Sequence, residues 1–151
     1  QTDRFTVRIS MGYPDFDAEC QMLLNRSKQN PLDNVKQVIT VDELIDIQSK
    51  VKEVFVSEDM AKYIVMLVTA TRQSSLFSRG ASPRATLSLK DMAKAAAFAD
   101  GRDYIVPRDI QNIFVRTISH RVILSSESTA KRINTDSALK EILRTTRQPK
   151  I

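Results

Sequence analysis

Apolar and polar positions in this chain repeat every two residues at its start and about every 3.6 residues thereafter. Phe5, Val7, Ile9 and Met11 alternate with Thr6, Arg8 and Ser10, which predicts a half-buried strand. Gly12-Tyr13-Pro14-Asp15 breaks that pattern, and Phe16, Cys20, Leu23 and Leu24 then share one face of a helix that fades near Asn30-Pro31. Thr40 reads as the N-cap of the next helix. Asp42 and Glu43 there match the helix dipole, and Leu44, Ile47 and Val51 form an apolar stripe. Val54-Phe55-Val56 is a short β-like run, after which Ser57 caps a helix with Met60, Tyr63, Ile64, Leu67 and Val68 inward. The stretch from Thr71 to Arg79 is polar and reads as a loop. The helix around Arg84 carries Leu89, Met92, Ala93, Ala96 and Ala97 on one side and ends near Gly101, a natural left-handed residue. Tyr104-Ile105-Val106 is a second β-like run, and Pro107 opens a helix bearing Ile110, Ile113, Phe114 and Ile118. A Ser-rich turn from Ser125 to Thr129 precedes a last short helix marked by Leu139, Ile142 and Leu143.

These elements predict a mainly α fold: a bundle of four or five helices, clasped by the two short β runs, with one strand at the N-terminus. A single strand has no sheet to join, and its unpaired backbone is costly. Its sheet partners are therefore expected upstream, and the chain is expected to be a fragment or an excised domain. It opens inside the predicted strand, with no initiator Met and no signal peptide.

Composition adds bounds. At 151 residues, 42% of them apolar, the chain suits one domain, or a small domain plus a piece of another. Lys and Arg number 23 against 18 Asp and Glu, a net charge of +5 that permits acidic partners but is weaker than that of a dedicated nucleic-acid binder. The single cysteine, Cys20, makes neither an internal disulfide nor a zinc cluster, which points to a reducing compartment. No apolar run approaches the roughly 20 residues needed to span a bilayer.

Candidate chemistry is sparse. In Gly80-Ala81-Ser82-Pro83-Arg84-Ala85, Gly80 frees the backbone, Ser82 suits an N-cap and Pro83 suits the first helical position. Arg84 then stands in the first turn, against the positive end of the dipole, at a cost of a few tenths of a kcal/mol. Facing an anion such as phosphate would account for it, and so would an ordinary solvated arginine. Arg4, at the edge of the predicted strand, has the same two readings. None of the three glycines, Gly12, Gly80 and Gly101, begins a phosphate-loop pattern, and no His/Cys cluster offers a metal site. His120 is the one histidine, placed between Ser119 and Arg121, where it suits the C-terminus of a helix. It has no Gly-x-Ser-x-Gly elbow to serve, so catalysis by this chain alone is not expected.

Nearly end to end, the chain resembles the C-terminal part of a MoxR-type AAA+ ATPase, that is, the end of the ATPase core plus the helical lid. The resemblance is carried by Gln1-Thr2-Asp3-Arg4-Phe5 and Arg8 to Pro14, by Ser57 to Arg72 and Gly80 to Ala85, and by Asp100 to Pro107 and Ser119-His120-Arg121. Magnesium-chelatase motor subunits look similar but usually lack the Ser-Pro before the arginine. The family often has Leu where Thr2 stands. The resemblance implies that residues 1–13 are the last core strand and hinge, and that residues 14–151 are the lid. It implies that Arg4 is the arginine finger, reaching into the neighbouring subunit's site, and that Arg84 is the second-sensor arginine contacting the γ-phosphate. Tyr13 and Pro14, at the core-to-lid hinge, would touch the adenine.

The phosphate loop (Walker A), the Mg²⁺-binding acid (Walker B) and the water-activating acid would belong to the absent core. The full-length protein is thus expected to use ATP and Mg²⁺, while this chain alone holds neither cofactor and is inactive. The resemblance further implies a cytoplasmic, chaperone-like hexameric ring of identical subunits. Its clients would be partner proteins matured or activated by it, including proteins with von Willebrand factor A domains. No membrane span and no nucleic-acid partner are expected. Two other readings compete. One is a basic helical nucleic-acid-binding module, drawn from Arg121, Lys131, Arg132, Lys140, Arg144, Arg147 and Lys150, though without interleaved aromatics for base stacking. The other is a structural interaction domain, in which Arg4 and Arg84 are replaceable.

Overall fold

The computed structural model describes residues 1–26 and 31–149, and Asn30 and Lys150 lie outside the described residues. The chain divides into a larger unit, Gln1–Arg8 with Gln48 onward, and a smaller one, Ile9–Ile47.

The smaller unit holds α1 (Phe16–Arg26), a 3-10 turn at Pro31–Asn34 and the start of α2 (Val41–Glu53), within which the division falls. Asp15 opens α1 by accepting from the Ala18 N–H at 2.8 Å. Thr40 caps α2 as its sequence predicts. The Glu43 N–H donates to Thr40 Oγ1 at 3.2 Å, and the Thr40 N–H donates to the Glu43 carboxylate at 2.7 Å, a reciprocal capping box. The predicted apolar face of α1 exists, but Phe16, Leu23 and Leu24 are exposed on it and Cys20 is half-buried.

The larger unit contains the core. Ser57 caps α3 (Glu58–Gln73) by accepting from the Met60 N–H at 3.3 Å, and Met60, Tyr63, Ile64, Leu67 and Val68 are all buried, at the predicted spacing. The stretch read as a loop from Thr71 to Arg79 is more ordered than that. α3 continues through Thr71 to Gln73, and Phe77–Arg79 forms β1, antiparallel to β2 (Ile123–Leu124). Polar residues mask β1 because only Phe77 points inward. Next come α4 (Pro83–Ala99) and α5 (Pro107–Ile118), followed by α6 (Ser126–Ala130) and α7 (Thr135–Thr145). α4 packs mainly on α5 and α3, and α7 closes against α5 and α3. Leu89, Ala93, Ala97, Ile110, Phe114, Ile118 and Leu139 meet in this core. Seven α-helices stand among the described residues, against four or five expected. The helix among them that no predicted one covers is α6: the Ser-rich turn is a short helix, because the Ser125 hydroxyl accepts from the Ser128 N–H at 3.2 Å.

The two β-like runs do clasp the bundle. Phe55 and Tyr104 form a parallel bridge, with the Phe55 N–H donating to Asp103 O at 2.7 Å and the Ile105 N–H to Phe55 O at 3.2 Å. The strand predicted over Phe5–Met11 does not form. Thr2–Arg4 is a 3-10 turn instead, and from Phe5 to Met11 one backbone hydrogen bond reaches another element, from the Arg8 N–H to Arg116 O at 2.9 Å. Alternation makes a strand only where another strand lies alongside to complete a ladder, and none does among the described residues. The fold is thus a mainly α bundle with short β segments, without the leftover strand.

Candidate functional site

Arg84 is the second residue of α4, and its side chain is exposed. The loop before it is held closely. The Ala81 N–H donates to Thr71 Oγ1 at 3.0 Å, and Arg72 Nε donates to Ala81 O at 2.7 Å. Gly80 matters here through its missing side chain, since a Cβ would lie 2.6 Å from Arg72 Cα. Ser82 takes the N-cap backbone conformation, but its hydroxyl does not cap the helix. It donates instead to both Asp3 carboxylate oxygens, at 3.1 and 2.9 Å.

That carboxylate brings the N-terminal segment to α4. Asp3 also faces Arg121, whose Nη1 lies 3.4 Å from Asp3 Oδ1. Arg121 is only 4% exposed, and its Nη2 donates to Phe5 O at 2.7 Å and to Ser88 Oγ, one turn further along α4, at 2.9 Å. His120 Nε2 reaches the same Phe5 carbonyl at 2.8 Å, so this nitrogen carries the proton. His120 therefore fastens the N-terminal segment and not, as its place in the sequence suggests, the end of α5. Burial pushes the Arg121 pKa down. Asp3 opposes that shift and the nearby charge of Arg84 reinforces it.

The structure thus joins the surroundings of two expected site residues. Arg4 is exposed between Asp3 and Phe5, both of which are bonded to α4 or to residues just beyond α5, while Arg84 lies between Ser82 and Ser88. Tyr13 and Pro14 belong to the other unit, where both are exposed. Among the described residues no group of three or more His, Cys, Asp or Glu side chains could hold a metal ion. No helix among the described residues is long and apolar enough to cross a membrane.

Sequence reasoning missed Asp109. It is 2% exposed and accepts both Arg102 Nη groups, at 2.8 and 2.6 Å, as well as the Val106 N–H at 2.8 Å. This fork holds the Arg102 pKa well above its usual value. The available signal was an Asp three residues after the N-cap, where a carboxylate can reach back to the cap N–H. The basic region offered as a nucleic-acid face is only partly engaged within the chain. Arg121 is buried, and Lys131 pairs with Glu127 and Arg144 with Glu141, both at 2.6 Å, while Arg132, Lys140 and Arg147 are exposed.

Residues 69–142 match the model of the AAA lid domain family. The chain is 34% identical over 149 residues to YeaC of Bacillus subtilis, a protein described as uncharacterised, covering 99% of this chain and 47% of that one. Chaperone MoxR1 of Mycobacterium tuberculosis is 29% identical over 160 residues, covering 100% of this chain and 42% of its own length. The crystal structure of a candidate ATPase from Cytophaga hutchinsonii superposes with a TM-score of 0.84 at 33% identity, over 98% of this chain and 48% of that one. The chain therefore spans less than half the length of these relatives.

Proposed function

Because this chain is homologous over its whole length to MoxR-type proteins and carries an AAA lid domain, we propose that it is the lid-bearing part of an ATP-driven, chaperone-like ATPase. Arg84 acts in it as the second sensor, reading the γ-phosphate from the lid, and Arg4 as the finger offered to the neighbouring subunit. The observation that carries this reading is the exposed Arg84 guanidinium in the first turn of a 17-residue helix. A cation there opposes the dipole and stands beside the charge of Arg121, so it gains most when an anion arrives.

The residues present fit the phosphate end of a nucleotide and not its metal, since no described acidic cluster could hold Mg²⁺. ATP supplies the transferable phosphoryl group when bound. Arg84 orients the γ-phosphate end, and Arg4 places positive charge where negative charge accumulates during transfer, a role worth roughly 10³–10⁵ in rate elsewhere. Tyr13 and Pro14 flank the adenine. The phosphate loop and the acids that bind the metal and activate water belong to the remaining part of the protein. The ring is a hexamer of identical subunits acting in the cytoplasm on client proteins, von Willebrand factor A domains among them.

The test is steady-state hydrolysis by the full-length protein. Arg4→Ala should abolish turnover while leaving nucleotide binding largely intact, and Arg84→Ala should lower turnover and alter affinity. Normal turnover by both variants would sink the assignment.

A further inference from the structure

We propose that Asp3 and Arg121 are positioning residues that fasten the segment carrying Arg4 to the helix carrying Arg84, so that the two arginines move as one body. This rests on the reading of Arg4 and Arg84 just given. Both chain neighbours of Arg4 are held. Asp3 accepts from Ser82 Oγ at 2.9 Å and faces Arg121 Nη1 at 3.4 Å, while the Phe5 carbonyl accepts from Arg121 Nη2 at 2.7 Å and His120 Nε2 at 2.8 Å. The anchors on α4, Ser82 and Ser88, bracket Arg84 in sequence. The Arg8 N–H on Arg116 O, at 2.9 Å, closes the far end of the segment. Arg4 itself remains exposed between these fixed points.

The chemistry of Arg121 argues for position over stability. Its side chain is fully buried, its Nε meets no hydrogen-bond partner among the described residues, and the carboxylate it faces is 39% exposed. Burying a guanidinium against one partly exposed carboxylate is a poor way to hold two segments together, because apolar side chains of similar volume usually do as well or better. A planar fork of five donors does what they cannot: it reaches a carboxylate, a backbone carbonyl and a hydroxyl at once, from two separate segments. Asp3 supplies a negative charge against which Arg121 and Arg84 can share one neighbourhood. A shift of α4 would carry Asp3 and Phe5 with it, and therefore Arg4. By reciprocity, engagement of Arg4 would bias α4.

Full-length protein carrying Asp3→Asn, Arg121→Lys, both changes, or Arg4→Ala as a control decides the matter. Asp3→Asn keeps the shape and removes the charge, and Arg121→Lys keeps the charge and removes the fork. Each single variant should lower kcat by roughly tenfold, within the 5–150-fold span of ordinary coupling. The KM for ATP should stay within about twofold, as when an interaction outside substrate binding is lost. Melting temperature should stay within about 4 °C, so that loss of fold does not account for the loss of rate. The double variant should be no slower than the worse single one, because both changes open the same fastening. Wild-type kcat for Asp3→Asn with Arg4→Ala inactive would overturn the fastening and leave the finger reading intact, and so would strictly multiplicative losses. Wild-type kcat for Arg4→Ala would overturn the finger reading, and the fastening with it. If Arg121→Lys does not fold, Asp3→Asn carries the test, since its carboxylate is partly exposed and solvates readily.

Discussion

Gly80 lies where the loop ahead of α4 crosses the backbone of α3. A Cβ there would stand 2.6 Å from Arg72 Cα and 2.7 Å from Thr71 O, so the loop would have to move away from backbone that cannot give. Gly80→Ala should destabilise this chain by about 1–3 kcal/mol. Thermal denaturation should show a midpoint lowered by a few degrees per kcal/mol at this size. The sequence suggested a glycine needed for turning, whereas close approach is the reason, and that is visible only once the loop has folded back on the end of α3. Arg102 and Asp109 make a second residue-scale case. Asp109→Asn loses the fork and leaves the Arg102 charge poorly matched, so it should lower the melting temperature more than Asp100→Asn does. Asp100 carries one bond to the same arginine and is exposed, which makes it the control.

Among the elements, α4 was the most legible. Pro83 at its start, Gly101 after its end with φ of +75°, and Leu89, Ala93 and Ala97 at helical spacing all stand where periodicity and end signals put them. Leu89→Ala should cost about 2–5 kcal/mol in denaturant unfolding, since Leu89 is fully buried. Leu87→Ala, at an exposed position of the same helix, should stay within about 0.5 kcal/mol. α2 offers a pH test. The Thr40 N–H, and then the Thr40 hydroxyl, hold the Glu43 pKa below its usual value, so this contribution is fully present above the unfolded pKa and is lost as pH falls through the folded one. Exchange of the Thr40 amide should therefore be slowed at neutral pH relative to a Glu43→Gln variant, and the difference should vanish in acid. Strand elements were less legible, because β1 and β2 are short and pair across some 45 residues. Their ladder depends on a partner that no local pattern announces.

At the scale of the whole molecule the two units differ in how much they bury. Every buried residue of the apolar core lies in the larger unit, while the described residues of Ile9–Ile47 include none that is fully buried. Amide exchange of this chain should accordingly be faster in α1 than in α4, because opening free energy follows buried contacts. Equal protection would show that the smaller unit has stability of its own. A second measurement at this scale concerns activity: the purified chain should not turn over ATP, since the phosphate loop and metal-binding acids of the proposed mechanism lie elsewhere. The sequence by itself determined the helices of the core, α3, α4, α5 and α7, with their inward faces, the caps Thr40 and Ser57, and the two residues on which the functional reading turns, Arg4 and Arg84. Those features depend on local periodicity, end chemistry and short motifs, all carried within a few residues of the position concerned. Only the tertiary structure decided that Phe5–Met11 is no strand here, that Ser82 serves Asp3 in place of its own helix, and that Arg121 and His120 grip Phe5. Each of those outcomes depends on which group arrives from 79 to 116 residues away or, for the strand, on a neighbour that does not arrive among the described residues. A hydrogen bond or a ladder needs both partners, and one stretch of sequence specifies only its own half.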